Sequence, residues 1–250
     1  MVNGSGAALI RPGTVGGGPT RFCAYPADMD DIERAALRTT YDVVAESYAN
    51  LLPDCSFEAD VDIAMIDHFI ELAPGRRILD AGCGAGRIVS HLKSLNPELR
   101  VSGVDLSEEM VRRTLARGAA DDVVQGDLSR LPHTDGRFDG VLAWYSIIHF
   151  SPDDLIGPLA EFRRVLRPGG VVLVAFQAGT GRRNITRAYG HDVDMTAFRH
   201  SAEDVVEAMR AVGLETVARL ERAARPVDAH PQGFVVGRRS DDSVAGVSSV

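Results

Sequence analysis

An α/β fold built on a mostly parallel sheet is predicted by three features of the sequence. Short apolar runs alternate with amphipathic helical segments over short connections, the pattern of strands joined by right-handed crossovers. "VVLVAF" (171 to 176) is continuously apolar, as a strand covered on both faces must be. "ILDAGCGAGR" (78 to 87) carries a strand into a glycine-rich turn and then a helix.

In chain order, residues 1 to 28 and 241 to 250 are poor in apolar periodicity, and the first stretch holds "NGSGAA" and "GTVGGGPT". Both are predicted to be flexible tails around one domain over 29 to 240. Residues 29 to 52 form a helical pattern with Ile32, Ala36, Leu37, Val43, Val44, Ser47 and Tyr48 near one face. "VDIAMIDHFIELA" (61 to 73) is a second helix, stopped by Pro74-Gly75. "RILD" is a buried strand, "RIVSHLKSL" a helix and "VSGVD" a strand. "SEEMVRRTLARG" is a helix with Ser107 as N-cap, two acids in its first turn and Gly118 past its end. "DVVQGD" and "FDGVLAWYSI" continue as strands. The helix of "SPDDLIGPLAEFRRVLRPGG" starts from Ser151 and Pro152 and closes on Pro168-Gly169-Gly170. "SAEDVVEAMRAVGL" is the last helix. "ETVARLERA" and "GFVVGRR" follow with no helix between them, so they are expected to pair antiparallel.

Composition narrows the function. A net charge of −8 on 250 residues argues against a sequence-independent grip on nucleic acid, which needs a dense basic face. No apolar run approaches the roughly 18 residues of a membrane span, and the start lacks a signal-peptide pattern, so a cytoplasmic location is expected. Cys23, Cys55 and Cys83 have neither disulfide nor zinc spacing and read as reduced thiols.

The glycine turn is selective about its ligand. A dinucleotide fingerprint requires a third glycine where Arg87 stands, and no Gly-Lys-Ser/Thr follows for a phosphate loop. Asp80, at the strand's end, would repel a pyrophosphate and suits a cationic ligand. Asp105 ends the second strand, where a carboxylate accepts from both ribose hydroxyls, and Asp127 follows the third, placed to accept from an adenine amine. Three acids at successive strand ends mark the carboxyl edge of the sheet as the binding edge.

On these residues the sequence resembles the class I S-adenosylmethionine-dependent methyltransferases. "ILDAGCGAG" looks like their first motif, "VDLSEEMV" like the ribose-holding segment and "GDLSRLP" like the adenine-side motif. "FDGVLAWYSIIHF" is similar to their fourth-strand motif, and "LAEFRRVLRPGGVVLVAF" to the helix and strand that follow. The resemblance implies a doubly wound seven-stranded sheet in the order 3-2-1-4-5-7-6, strand 7 antiparallel, under N-terminal lid helices, one of them "YDVVAESYA". It implies S-adenosylmethionine as cofactor, with Gly82, Cys83, Gly84 and Gly86 against its aminoacyl and ribose part. Asp80 would face its ammonium and Arg87 its carboxylate, and Tyr41 and Tyr48 would close over the methionine end. Asp105 would take the ribose hydroxyls, Leu106 and Leu128 would sandwich the adenine with Gly126 and Asp127 beside its amine, and Ala143 and Trp144 would end the fourth strand against the cofactor.

His149, beyond the fourth strand, is the candidate general base. Tyr145, His191 and Arg187 are candidates for the acceptor side. "YGHDVDMTAFRH" (189 to 200) is taken as an acceptor-facing loop; His191, Asp192 and Asp194 share no fixed face, so no metal is expected. The reading is a methyltransferase acting on a small-molecule metabolite, as monomer or homodimer, with neither nucleic-acid nor membrane partners. A tRNA or protein methyltransferase, and a non-methylating cyclase or binding module on the same fold, are the alternatives.

Overall fold

Residues 30–240 are described by a computed structural model of the chain. The predicted tails at 1–28 and 241–250, and Cys23, lie outside the described residues.

The first helix, α1 (Asp31–Leu51), starts where the Asp30 carboxylate accepts the amides of Ile32 and Glu33 at 2.9 and 2.8 Å. Its buried stripe is narrower than predicted. Val44 and Ala45 are buried and Leu37, Tyr41 and Tyr48 half-buried, whereas Ile32 and Val43 are 80% and 55% exposed. The helix carries two apolar stripes at helical spacing, and only the one through Leu37, Tyr41, Val44 and Tyr48 meets the sheet's carboxyl edge. In α2 (Asp60–Leu72), Ile66 and Phe69 are buried, and the Asp62 carboxylate accepts the Ala59 amide at the helix start.

The alternation then runs as the apolar runs dictate: β1 (Arg77–Ala81), α3 (Arg87–Leu95), β2 (Arg100–Asp105), α4 (Glu108–Arg117), β3 (Asp122–Gln125), β4 (Phe138–Trp144), α5 (Ile156–Val165) and β5 (Leu166–Gln177). Ser107 caps α4 by accepting the Met110 amide, and Gly118 ends it in the left-handed conformation, both as predicted. A hairpin, β6 (Arg182–Ala188) and β7 (His191–Phe198), precedes α6 (Ala202–Ala211), β8 (Leu214–Arg222) and β9 (Gln232–Arg239).

Seven strands make one sheet in the order β3-β2-β1-β4-β5-β9-β8, with β9 antiparallel to both neighbours. Because β8 and β9 are the sixth and seventh strands of this sheet, the order is the one expected. Adjacent residues such as Ile78 and Leu79 are both fully buried on opposite faces, one packing with Phe69 and Leu142, the other with Phe162 and Val174. No helix among the described residues is long and apolar enough to cross a membrane.

Three local expectations are corrected. Ser151 does not cap α5: its hydroxyl donates to Asp154, and Pro152 opens a separate single turn (Pro152–Asp154) before the helix. Pro168-Gly169-Gly170 follows the end of α5 at Val165 as predicted, but it lies within β5, which starts at Leu166 and not at Val171. There the register jumps from the Phe138–Leu166 pair to Gly140–Val171, so these residues form a bulge, the one place an inner strand tolerates proline. The segment taken as a loop is the β6–β7 hairpin, turned by Tyr189 and Gly190 at φ 53° and 86°.

Candidate functional site

The site grows out of the end of β1. Gly82, Gly84 and Gly86 have φ of 83°, 52° and 80°, and a Cβ on Gly82 would lie 2.3 Å from that of Ser146, so the turn demands glycine there. The Gly82 and Cys83 amides both donate to the Val104 carbonyl, tying the turn to β2. The Gly84 amide donates to one oxygen of Asp105 at 2.8 Å and the Ser107 amide to the other at 2.9 Å. Burial pushes the Asp105 carboxyl up to about 6 against the pull of those amides. Asp80, 1% exposed, has no partner on either oxygen, and burial pushes it up to about 7.

Over this turn lies a cavity of about 380 Å3, roofed by α1. Tyr41, Tyr48, Gly82, Gly84, Arg87, Asp105, Leu106, Asp127, Leu128, Trp144, Tyr145 and His149 all line it. Other sequence candidates do not. Asp80 sits behind the wall. The Cys83 thiol turns under the sheet toward Thr114 and Gly103, Gly86 packs on Thr114 at the start of α3, and Gly126 is wedged between Val104 and Pro132. Ala143 points to the face opposite Trp144, as strand alternation requires. Arg187 and His191 belong to the hairpin: Arg187 is exposed, and His191 Nε2 lies 2.9 Å from the Ser47 hydroxyl of α1. The hairpin therefore fastens to α1 through His191 and does not present these two side chains to the cavity.

Several lining residues carried no sequence signal. Glu58, in the α1–α2 connection, accepts from the Arg87 guanidinium and from Trp144 Nε1 at 3.2 Å. Arg87 also bonds the Tyr48 hydroxyl, so the first-turn arginine is held inside the cavity, not in solvent. Arg34 of α1 pairs with Asp127 at 2.5 Å. Arg222 enters from the end of β8, Asp228 from the β8–β9 loop, Gln232 from the start of β9 and Tyr189 from the hairpin tip.

His149 is bonded on both ring nitrogens. Nδ1 is 2.8 Å from the Thr196 carbonyl of β7, which only accepts, so Nδ1 carries the hydrogen. Nε2 then offers its lone pair, and the Tyr41 hydroxyl donates to it at 2.7 Å. Burial holds the imidazole below its ordinary value and the phenol above its own, so both are uncharged at neutral pH.

Against known proteins, a family model described as a methyltransferase domain matches residues 78–170. Over 179 residues the chain is 30% identical to a malonyl-[acyl-carrier protein] O-methyltransferase of Pseudescherichia vulneris, covering 71% of this chain and 68% of that one. It is 35% identical over 175 residues to an uncharacterized 37.1 kDa protein in transposon TN4556 of Streptomyces fradiae, covering 65% of this chain and 50% of that protein, so the chain spans only half that relative's length. The fold matches a Burkholderia thailandensis 1,6-didemethyltoxoflavin-N1-methyltransferase, solved with bound 1,6-didemethyltoxoflavin and S-adenosylhomocysteine, at a TM-score of 0.68 and 23% identity, covering 88% of this chain and 94% of that one.

Proposed function

Since the chain belongs to the class I S-adenosylmethionine-dependent methyltransferases, with S-adenosylmethionine as cofactor, we propose that residues 29–240 transfer its methyl group to an oxygen, nitrogen or carbon nucleophile of a small-molecule metabolite. The observation that carries this reading is the roofed cavity. Its volume of about 380 Å3 falls within the range of small-ligand sites, and α1, the hairpin tip and the β8–β9 loop contribute its walls.

The residues present fit the cofactor. Asp80 is a buried carboxylate without a partner, and Asp105 is oriented by two amides with lone pairs to spare for ribose hydroxyls. Gly82 and Gly84 let backbone approach where a side chain would intrude. Leu106 and Leu128 supply apolar surface for an adenine, with Asp127 at its amine. Arg87 and Glu58 offer opposite charges to a zwitterionic amino-acid end. When bound, the cofactor supplies an electrophilic methyl group on a sulfonium. The protein's part is to hold the acceptor in line with it, exclude water and take up a proton, and orientation alone supplies several kcal/mol of such a barrier.

Asp80 also makes binding pH-dependent. With its folded value near 7, this group is largely neutral below pH 7, and a nearby ammonium favours the carboxylate. Binding of S-adenosylhomocysteine is therefore expected to release protons between pH 6 and 7 and to weaken as the pH falls. Calorimetry in two buffers of different ionisation enthalpy measures this, and affinity that stays flat from pH 8 to 6 with no proton released would refute it.

The acceptor is found by incubating the protein with methyl-labelled S-adenosylmethionine and a metabolite extract. The expected result is one small compound gaining a labelled methyl group. Label in protein or tRNA instead, or cofactor binding with no transfer to any component, would overturn the small-molecule reading.

A further inference from the structure

We propose that the acceptor this cavity selects is uncharged and apolar in its body, so that anionic acceptors are excluded. The inference rests on the methyltransferase reading above and specifies its substrate class. Its ground is the way the cavity's charges are already spent on one another. Among the described residues lining it, three guanidiniums face four carboxylates. Arg34 is held by Asp127 at 2.5 Å and Arg87 by Glu58. Arg222 is bound by both oxygens of Asp62 at 2.6 Å each, and its remaining nitrogen lies 2.6 Å from Asp228. The lining carboxylates outnumber the guanidiniums even before Asp62, the further partner of Arg222, is counted, so no guanidinium is left over for an anionic acceptor. An acidic acceptor would have to strip a guanidinium from its partner or sit beside unpaired carboxylates of its own sign, and both are costly.

The rest of the chamber suits an apolar body. Phe57 and Val227 are 48% and 64% exposed, yet both lie on the cavity wall, one from the α1–α2 connection and the other from the β8–β9 loop. Arg225 fixes that arrangement: it donates to the Phe57 carbonyl at 2.8 Å, lies over its ring at 5.7 Å and shares Asp228 with Arg222. The cations at this end are thus used to hold the two loops, and the surface they hold out is hydrocarbon.

A matched pair of fluorescent probes tests the proposal. N-phenyl-1-naphthylamine and 8-anilinonaphthalene-1-sulfonate share one aromatic skeleton and differ by a sulfonate. Titrated into protein saturated with S-adenosylhomocysteine, the neutral probe is expected to bind at least tenfold more tightly. Phe57→Ser combined with Val227→Ser is expected to abolish most of that binding, which assigns it to this chamber. Asp228→Asn, which leaves Arg222 with one carboxylate partner in place of two, is expected to narrow the difference between the probes. Equal or tighter binding of the sulfonate to the unaltered protein would overturn the proposal, as would failure of the neutral probe to bind. Binding of S-adenosylhomocysteine is followed separately by calorimetry. Its absence would count against the cofactor reading, while the ratio of the two probes still reports on charge selection.

Discussion

Arg222→Met is expected to lower the free energy of unfolding by roughly 2–4 kcal/mol, because it strands a buried carboxylate. Asp62 is fully buried near the start of α2, and its two oxygens take Nε and Nη2 of Arg222. Breaking a buried ion pair costs more than the pair contributes, since the remaining charge keeps its desolvation penalty without its partner. Arg222 keeps 12% of its side-chain surface in water, which trims the upper end of that range. Urea denaturation followed by circular dichroism measures the effect as a lower midpoint at unchanged slope. Arg219→Met on the same strand is the control. Its pair with Glu203 is exposed on both sides, 58% and 72%, and its loss is expected to cost less than about 1 kcal/mol. The double variant Asp62→Asn with Arg222→Met is expected to recover part of the loss, because no unpaired charge then remains. Equal effects at Arg222 and Arg219 would show that the clamp contributes nothing special. The clamp also has a defined pH response. The Arg225 and Arg222 guanidiniums hold the Asp228 carboxyl well below the usual carboxylate range, so its contribution is complete at neutral pH and fades as the pH drops below about 4.

The parts of this fold that are legible in the sequence are those whose signals are local. β1, the glycine turn and α3 follow one another within "RILDAGCGAGRIVSHLKSL", where an apolar run, three glycines and an amphipathic repeat each state one conformation. The β8–β9 pairing is readable because no helix separates two strand-like runs. The β6–β7 hairpin hides because only one of its faces packs. Arg182, Arg183 and Arg187 dominate β6, and the inward side is marked by little more than Ile185, Met195 and Ala197. Its turn uses Tyr189 before Gly190 in place of the asparagine or aspartate that signals such turns.

The same division holds for the site. Asp105, Leu106 and Leu128 fall at strand ends that periodicity locates, and all three line the cavity. Ala143 and Trp144 show the limit of that approach, since one step along a strand reverses the face and the sequence gives no means of choosing between them. The partners of the strand-end charges are invisible to it. Arg34 on Asp127 and Glu58 on Arg87 join elements that meet only when α1 closes over the sheet, and no spacing rule connects them. Those pairs carry the charge selection proposed for the cavity. For that reason several residues of the cavity's lining are readable from residue order, and the charge pairing inside it is not.

His149→Gln is expected to lower kcat by about 10²-fold or more for an acceptor that loses a proton from oxygen or nitrogen, the usual scale of a lost general base. The Thr196 carbonyl fixes the hydrogen on Nδ1, leaving Nε2 as the basic atom, but the Tyr41 hydroxyl already donates to it. With His149 as the base, the acceptor's proton would reach it through Tyr41: as the tyrosine oxygen took it up, the tyrosine's own proton would pass to Nε2. A free phenolate does not accumulate in this step, because burial holds the Tyr41 phenol well above its ordinary value. Tyr41→Phe is then expected to cost about as much as His149→Gln, and the double variant little more than either, as groups acting as one unit do. The pH profile has a definite sign. Burial lowers the His149 value below its ordinary 6.5, so the imidazole is neutral and competent from pH 8 down to that point, and kcat falls only in more acidic solution. Binding of S-adenosylhomocysteine is expected to change little in His149→Gln, which separates proton transfer from a damaged site. Near-full turnover in that variant would remove His149 from the chemistry. The Tyr41–His149–Thr196 chain would then serve only to fasten α1 to the hairpin, and its loss would register as lower stability and weaker roofing of the cavity, with no change in the pH dependence of kcat.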